Sequence, residues 1–415
     1  MKYIFLVIIF TSFYSKISAT DNDTCCSIKQ QNTKIIYPII IQDSPSTLFT
    51  MRQSNNNYLS AYRLFARGCN KAIENEYIVD IIQLTITSLF FMPLTHEEGH
   101  RSILTANNIG SISQPYFNGD GAAYVKGVTD QTLQNLRDNN LPTYIRLHTA
   151  GLESDYMLTK RVETICSFEQ DEFKNLDWEY WIRKFSIMQY YSSGLFKYEV
   201  DLDEEKDELE RDIVGHDLYG AARHLYRPTM KFYRYTNYVD LTSEEQGFIR
   251  RIGYRSFLNL LNPLIIGVRN FKLSNTTKIN IGMGYTMSPF GDFIDENVWV
   301  KYRALNIGFY ARQFQNRNNW FNGFGLSVND YTFKDRLSLS IATHFWQQPV
   351  DYDFNTSESF IGGAIDVDVK YWFALKDNNG ISLDLGMIYK TKGFLPEELY
   401  LKEHFGIRIG TSIKI

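Results

Sequence analysis

From about Lys278 to the end of the chain, apolar residues recur at every second position. Ile365, Val367, Val369, Tyr371 and Phe373 alternate with Asp366, Asp368 and Lys370. Leu337, Leu339, Ile341 and Phe345 alternate with Ser338, Ser340, Ala342 and His344. Ile381, Leu383, Leu385 and Met387, and then Phe405, Ile407, Ile409, Ile413 and Ile415, repeat the pattern. Successive side chains of a strand point to opposite faces, so this period dictates a sheet with one apolar and one polar face. Turn signals fall between the runs at Pro289-Phe290-Gly291, Asn316–Asn319, Asn329-Asp330 and Asp377–Gly380. The expectation is about eight antiparallel strands of about ten residues, long enough to cross a bilayer when tilted.

Aromatic residues make up 15% of the chain, with 28 Tyr and 29 Phe, and many sit near strand ends. The C-terminal part therefore resembles an outer-membrane β-barrel with its aromatic girdles. The chain also stops inside its last strand, although on Ile415 rather than on the aromatic residue typical of such barrels. Lys301, Arg303, Arg312, Asp366, Asp368, Lys370 and Arg408 lie on the minor face and carry both signs. They would pair inside a small lumen, or stand in water on a soluble barrel or sandwich. Periodicity does not say which face looks outward.

Upstream, residues 60–265 read mainly as helix. Gln131–Asp138, Leu152–Glu163, Trp178–Phe196 and Glu244–Leu261 carry helical spacing, the last ending at Asn262-Pro263. Asp201–Asp212 is a charge run, read as a solvated helix or loop. Residues 1–19 resemble a secretory signal: Lys2, the apolar stretch Tyr3–Tyr14, and Ala19 as a small residue for cleavage. The expected organisation is α+β: signal 1–19, an N-terminal segment 20–59, a helical domain 60–265, and an antiparallel β-barrel at 270–415. Export permits disulfides, and Cys69 and Cys166 are candidates for one. The net charge of −4 gives no reason to expect nucleic acid.

One stretch names a chemistry: His96-Glu97-Glu98-Gly99-His100. Residues four apart on a helix share a face, so the two imidazoles can grip one Zn²⁺ with the Glu97 carboxylate beside them. The motif follows the apolar run Tyr77–Leu94, which places it in the interior. Pro93 should kink or restart the helix there, with Thr95 and Glu98 as its capping box. The motif resembles the active-site helix of zincin metallopeptidases. That resemblance covers only this helix and one later ligand, for which Glu153 is the first choice, as in gluzincins, with Glu163 and His148 behind it. The family often has an aspartate four residues after that glutamate; here Met157 stands there, and Asp155 is the candidate for its work. His216 or His224, and Tyr219 or Tyr226, are candidates to stabilise an oxyanion, and Asp217 to orient a ligand histidine. Ala122–Val128, after the Asn118-Gly119-Asp120-Gly121 turn, could form an edge strand beside the substrate.

These readings imply an exported zinc metallopeptidase held in the outer membrane by its barrel, with a peptide or protein substrate. Its catalytic set would be Glu97, His216 and Tyr226, and its metal set His96, His100 and Glu153. A periplasmic or secreted protein is the other placement. A non-enzymatic envelope protein, binding partners through its helical region around a structural or vestigial zinc, is the rival function. An intramembrane protease is a third, since an apolar segment leads into the motif; but Leu261-Asn262-Pro263-Leu264 lacks the aspartate such families carry.

Overall fold

The period-2 segment folds as a continuous antiparallel meander of eight strands: β5 (Thr277–Ser288), β6 (Gly291–Tyr302), β7 (Leu305–Gln315), β8 (Trp320–Phe333), β9 (Leu337–Pro349), β10 (Ser359–Lys376), β11 (Asn379–Lys390) and β12 (His404–Lys414). The structure is a computed structural model that describes residues 34–44, 49–117, 123–199, 205–333, 336–376 and 379–415. The signal expected at 1–19, Cys25, Cys26 and the turn expected at Asn118–Gly121 lie outside the described residues. Ahead of the meander come β1 (Ile36–Gln42), β2 (Ile112–Gln114), β3 (Tyr124–Lys126) and β4 (Phe271–Lys272). The helices are α1 (Met51–Ala72), α2 (Glu76–Ile86), α3 (Met92–Ala106), α4 (Asp130–Asn139), α5 (Leu141–Ser167), α6 (Asp177–Ser192), α7 (Asp217–Tyr226) and α8 (Ser243–Ser256). The architecture is α+β, with helices first and one large antiparallel sheet after them.

Among the described residues the sheet has ten strands, in the order β1-β12-β11-β10-β9-β8-β7-β6-β5-β4, and no closed barrel is found. It stays open between β1 and β4. An unpaired edge invites association, and the β1 edge is covered by side chains of α1. Asn57 exchanges hydrogen bonds with both backbone groups of Ile40 at 2.7 and 2.8 Å, and Ser60 Oγ donates to Pro38 O at 2.6 Å. Near the other edge, α5 runs against β5 and β6. Tyr156 OH donates to Asp295 at 2.6 Å, Trp299 Nε1 to Thr164 Oγ1 at 3.0 Å, and Asn280 to Ser167 Oγ at 2.8 Å.

The faces of the sheet are decided. Ile365, Tyr371, Ile381, Leu383, Leu385, Met387, Phe405, Ile407 and Ile409 are exposed, whereas Asn280, Arg312, Ser338, Ser382, Arg408 and Ser412 are buried. The inner charges pair: Arg408 with Asp366 and Asp368, Lys370 with Asp330 at 2.6 Å, and Arg312 with Asp295 at 2.6 Å. Arg312, Asp330, Asp366, Asp368, Lys370 and Arg408 line a cavity of about 470 Å³.

Helices and sheet share one core, in which Leu152, Tyr219 and Phe248 meet Tyr285, Phe293, Trp346 and Ile388. Several local expectations are corrected. Asn329-Asp330 is a bulge inside β8, not a turn; Asp330 takes a positive φ of 48° there and receives Lys370. Cys69 and Cys166 are both free. Pro93 falls at the start of α3, after a π-helical turn at Thr87–Phe91 that carries α2 into α3 without a break. Thr95 is no cap: its hydroxyl bonds back to Phe91 O and Met92 O, and Glu98 pairs with Arg101. The Tyr77–Leu94 run is not interior, since Tyr77, Ile78, Ile81, Leu89, Phe90 and Leu94 are exposed. The expected edge strand is β3, paired with β2 in a small separate sheet.

Candidate metal centre

Helix α3 brings the motif against α5 at unusually short range. A Cβ on Gly99 would stand 2.5 Å from the carbonyl oxygen of Ala150. On the facing helix, a Cβ on Gly151 would stand 2.3 Å from His96 Nε2 and 2.6 Å from His100 Nε2. Two glycines thus let the helices touch and leave open space at the two ring nitrogens.

Asp217 enters that space from the first position of α7. Its Oδ2 lies 3.3 Å from His96 Nε2 and 3.3 Å from His100 Nε2. The three ligand atoms lie within 4.8 Å of one another. A tetrahedral ion with bonds of about 2.0–2.1 Å sets its ligand atoms about 3.3–3.4 Å apart, so the donor set fits a zinc-sized dication. Asp217 Oδ2 is buried without a hydrogen-bond partner, a costly state that a bound cation relieves.

The far side of each imidazole is fixed. His96 Nδ1 lies 2.8 Å from Asp155 Oδ2, and His100 Nδ1 lies 2.7 Å from the carbonyl oxygen of Leu147. A carbonyl only accepts, so His100 carries its proton on Nδ1 and offers the Nε2 lone pair inward; Asp155 imposes the same tautomer on His96. Asp155 is itself held by Arg183 at 2.5 Å, and Arg183 by Glu179.

Electrostatics agree with a cation site. Burial works against charge on His96, yet Asp155 and Asp217 outweigh it and raise the imidazole well above its usual value. Asp217 raises His100 against burial in the same way. Burial would lift the Asp217 carboxyl, but the two imidazoles hold it well below the carboxylate range. The pocket thus demands positive charge, which protons or a metal can supply. Glu97 differs. Burial pushes its carboxyl up to about 7 despite the pull of His96 and His100, a value suited to a general base near neutral pH. Asp212 is pushed up to about 8 by burial and then by Glu97 and Asp217.

The other candidates lie elsewhere. Glu153 does not join the cluster: Arg146 holds both its carboxylate oxygens at 2.6 and 3.0 Å, and Glu397 N donates to it at 2.7 Å. It braces the loop between β11 and β12. Glu163 pairs with Lys184 at 2.8 Å. His148 is buried against His224, their ring centroids 5.6 Å apart. His216 caps α7 and stacks on Tyr219 with centroids 3.7 Å apart, and burial pushes it down to about 4. Tyr226 ends α7, nine residues or about 13 Å beyond Asp217, and packs on Phe248 and Phe354. Tyr190 was not legible as a site residue. Its hydroxyl accepts the Asp217 N–H at 3.1 Å, and its ring centroid lies 6.3 Å from that of His96. Only its place in the aromatic Trp178–Phe196 stretch marked it.

No protein-family model matches this chain, and no curated protein matches it.

Proposed function

We propose that the chain is an exported zinc metallopeptidase seated in a membrane by its sheet. The observation that carries the catalytic part is the triangle of His96 Nε2, His100 Nε2 and Asp217 Oδ2 beside the buried Glu97 carboxyl. In this reading Asp217, not Glu153, is the third ligand. A zinc ion held there would polarise a peptide carbonyl and acidify water. Glu97 would take the proton of the attacking water and return it to the departing amine. Tyr190 spends a lone pair on the Asp217 N–H and keeps its own proton, so it is placed to donate to the developing oxyanion. Asp155 and the Leu147 carbonyl keep both imidazoles in the metal-binding tautomer.

The membrane part rests on the inverted sheet, apolar outward and charged inward, an arrangement favourable in lipid and costly in water. The rival reading, a structural metal without catalysis, is favoured by enclosure: the His96, His100 and Asp217 side chains are only 14%, 2% and 3% exposed. Glu97→Gln separates the two. The enzyme reading expects unchanged zinc content and a loss of peptide-library cleavage of about 10²–10⁴-fold. Zinc retained with no cleavage by the wild type, across a broad library, would favour the structural role.

A further inference from the structure

The sheet is open, yet its outer face is apolar, so something must complete the wall along the gap. Helix α2 and the π turn after it have the same inverted character as the strands. Tyr77, Ile78, Ile81, Leu89 and Phe90 face outward and are exposed. Two of its polar residues turn inward: Asp80 accepts from Trp178 Nε1 at 2.9 Å, and Gln83 accepts from Tyr62 OH at 3.1 Å. A surface helix in water shows the opposite distribution. From Glu76 to Ala106 the helical stretch is long and apolar enough to cross a membrane. A core helix of that composition would be mostly buried, and this one is not.

The apolar surface continues from this helix to the sheet. Trp178, bonded to Asp80, stacks edge-on against Trp181 with centroids 5.6 Å apart. Trp181 Nε1 donates to Ile265 O at 3.2 Å, and the neighbouring Ile266 is exposed. Leu261 O accepts from Met283 N on β5 at 2.8 Å, and both Leu261 and Ile281 are exposed. We infer that the outward face of α2 and its π turn lies against lipid acyl chains, completing the membrane-facing wall where the sheet does not close. The inference rests on the membrane reading of the sheet proposed above. It gives a reason for Asp80 and Gln83 to turn inward, and it puts the start of α3, with His96 and His100, next to a lipid-facing turn.

The test is carbene labelling of the full chain reconstituted in phosphatidylcholine vesicles that contain a phospholipid with a diazirine in its acyl chain. Labelled peptides are mapped by mass spectrometry. The expected result is label on Ile381–Met387 and on Tyr77–Phe90 together, with none on the buried core of α5. Label on the strands but not on the helix overturns this inference and leaves the membrane reading standing. Label on the helix alone overturns the joint wall. Absence of label from both overturns the membrane reading, and the inference with it.

Discussion

Gly151→Ala is the sharpest probe of the metal centre, because its effects on fold and on metal separate. Alanine in place of glycine inside a helix stabilises by about 1 kcal/mol through propensity. Against that stands overlap. The new Cβ would lie 2.3 Å from His96 Nε2 and 2.6 Å from His100 Nε2, about 1 Å inside ordinary contact. Overpacking typically costs about 1–3 kcal/mol. The clashing atoms are ends of imidazoles that can turn, so the net change in metal-free stability should be small, within about 2 kcal/mol. Ligand atoms, however, tolerate displacements of only about 0.2 Å. A shift several times larger should lower zinc affinity by at least the roughly 10–100-fold seen when supporting contacts to ligands are lost. The assay is zinc titration against a chromophoric chelator, with a thermal melt of the metal-free protein as control. Wild-type affinity and stoichiometry in a folded Gly151→Ala protein would refute the placement of the ion between these nitrogens.

Four further outcomes are expected. Asp217→Asn should lower bound zinc sharply, whereas Glu153→Gln should keep zinc and cost about 3–5 kcal/mol of stability, because it strands the buried Arg146; atomic absorption and denaturant melts read both, and a reversal of the two metal results would restore Glu153 as a ligand. Asp155→Asn should weaken zinc about 10–100-fold and also cost stability, because it removes one of the two carboxylates that hold the buried Arg183; chelator competition and denaturant melts measure the two effects. Ile409→Arg should cost about 2–4 kcal/mol in vesicles; unfolding titrations that show no cost would place this exposed face in water. Finally, burial pushes His224 down to about 4 and holds His148 well below its ordinary value. Unfolded imidazoles titrate near 6.5 and take protons first as the pH falls, so this stability is complete above about 6.5 and lost progressively toward about 4. At pH 5 the cost for His224 is about 2 kcal/mol, and His148 adds to it in the same direction; denaturant melts at pH 7 and 5 that agree would argue against buried neutral histidines.

The strands were legible because period-2 alternation survives whichever face is buried. Eight strands were expected and eight form the meander. The additional partner strands were not legible: β1 stands in a segment with no alternation of its own, and β4 is two residues long. Closure depends on pairing between distant edges, which local periodicity does not encode. His96, Glu97 and His100 could be read because helical spacing fixes their relation in advance. Asp217, the third member of the cluster, could not, because its place depends on how α5 and α7 cross. The sequence put Glu153 first, with Glu163 and His148 behind it, and gave Asp217 only an orienting role; Arg146, two turns before Glu153 on the same face, holds that carboxylate away from the histidines. Tyr77–Leu94 was misplaced because an apolar run signals removal from water without saying whether protein or lipid replaces it.

That ambiguity also hid how far α5 extends. Leu152–Glu163 was visible as helix, yet α5 starts at Leu141, and Arg146, His148, Glu153 and Asp155 interrupt its apolar pattern. Each interruption has a partner or a place on a different side. Leu147, Gly151 and Asp155, spaced by four, face the two histidines: one by its carbonyl, one by lacking a side chain, one by its carboxylate. Tyr156, Lys160 and Thr164, again spaced by four, bond to Asp295 and Trp299 on β6. Arg146 and Glu153 grip the loop between β11 and β12. Residues four apart share a face, so one helix serves as the floor of the metal centre and as a strut within the sheet. A shift of α5 against β6 must therefore move Gly151 and Asp155 against the imidazoles. The sheet is part of the apparatus that holds the histidines in place, and residues of the helices and of the sheet share a core.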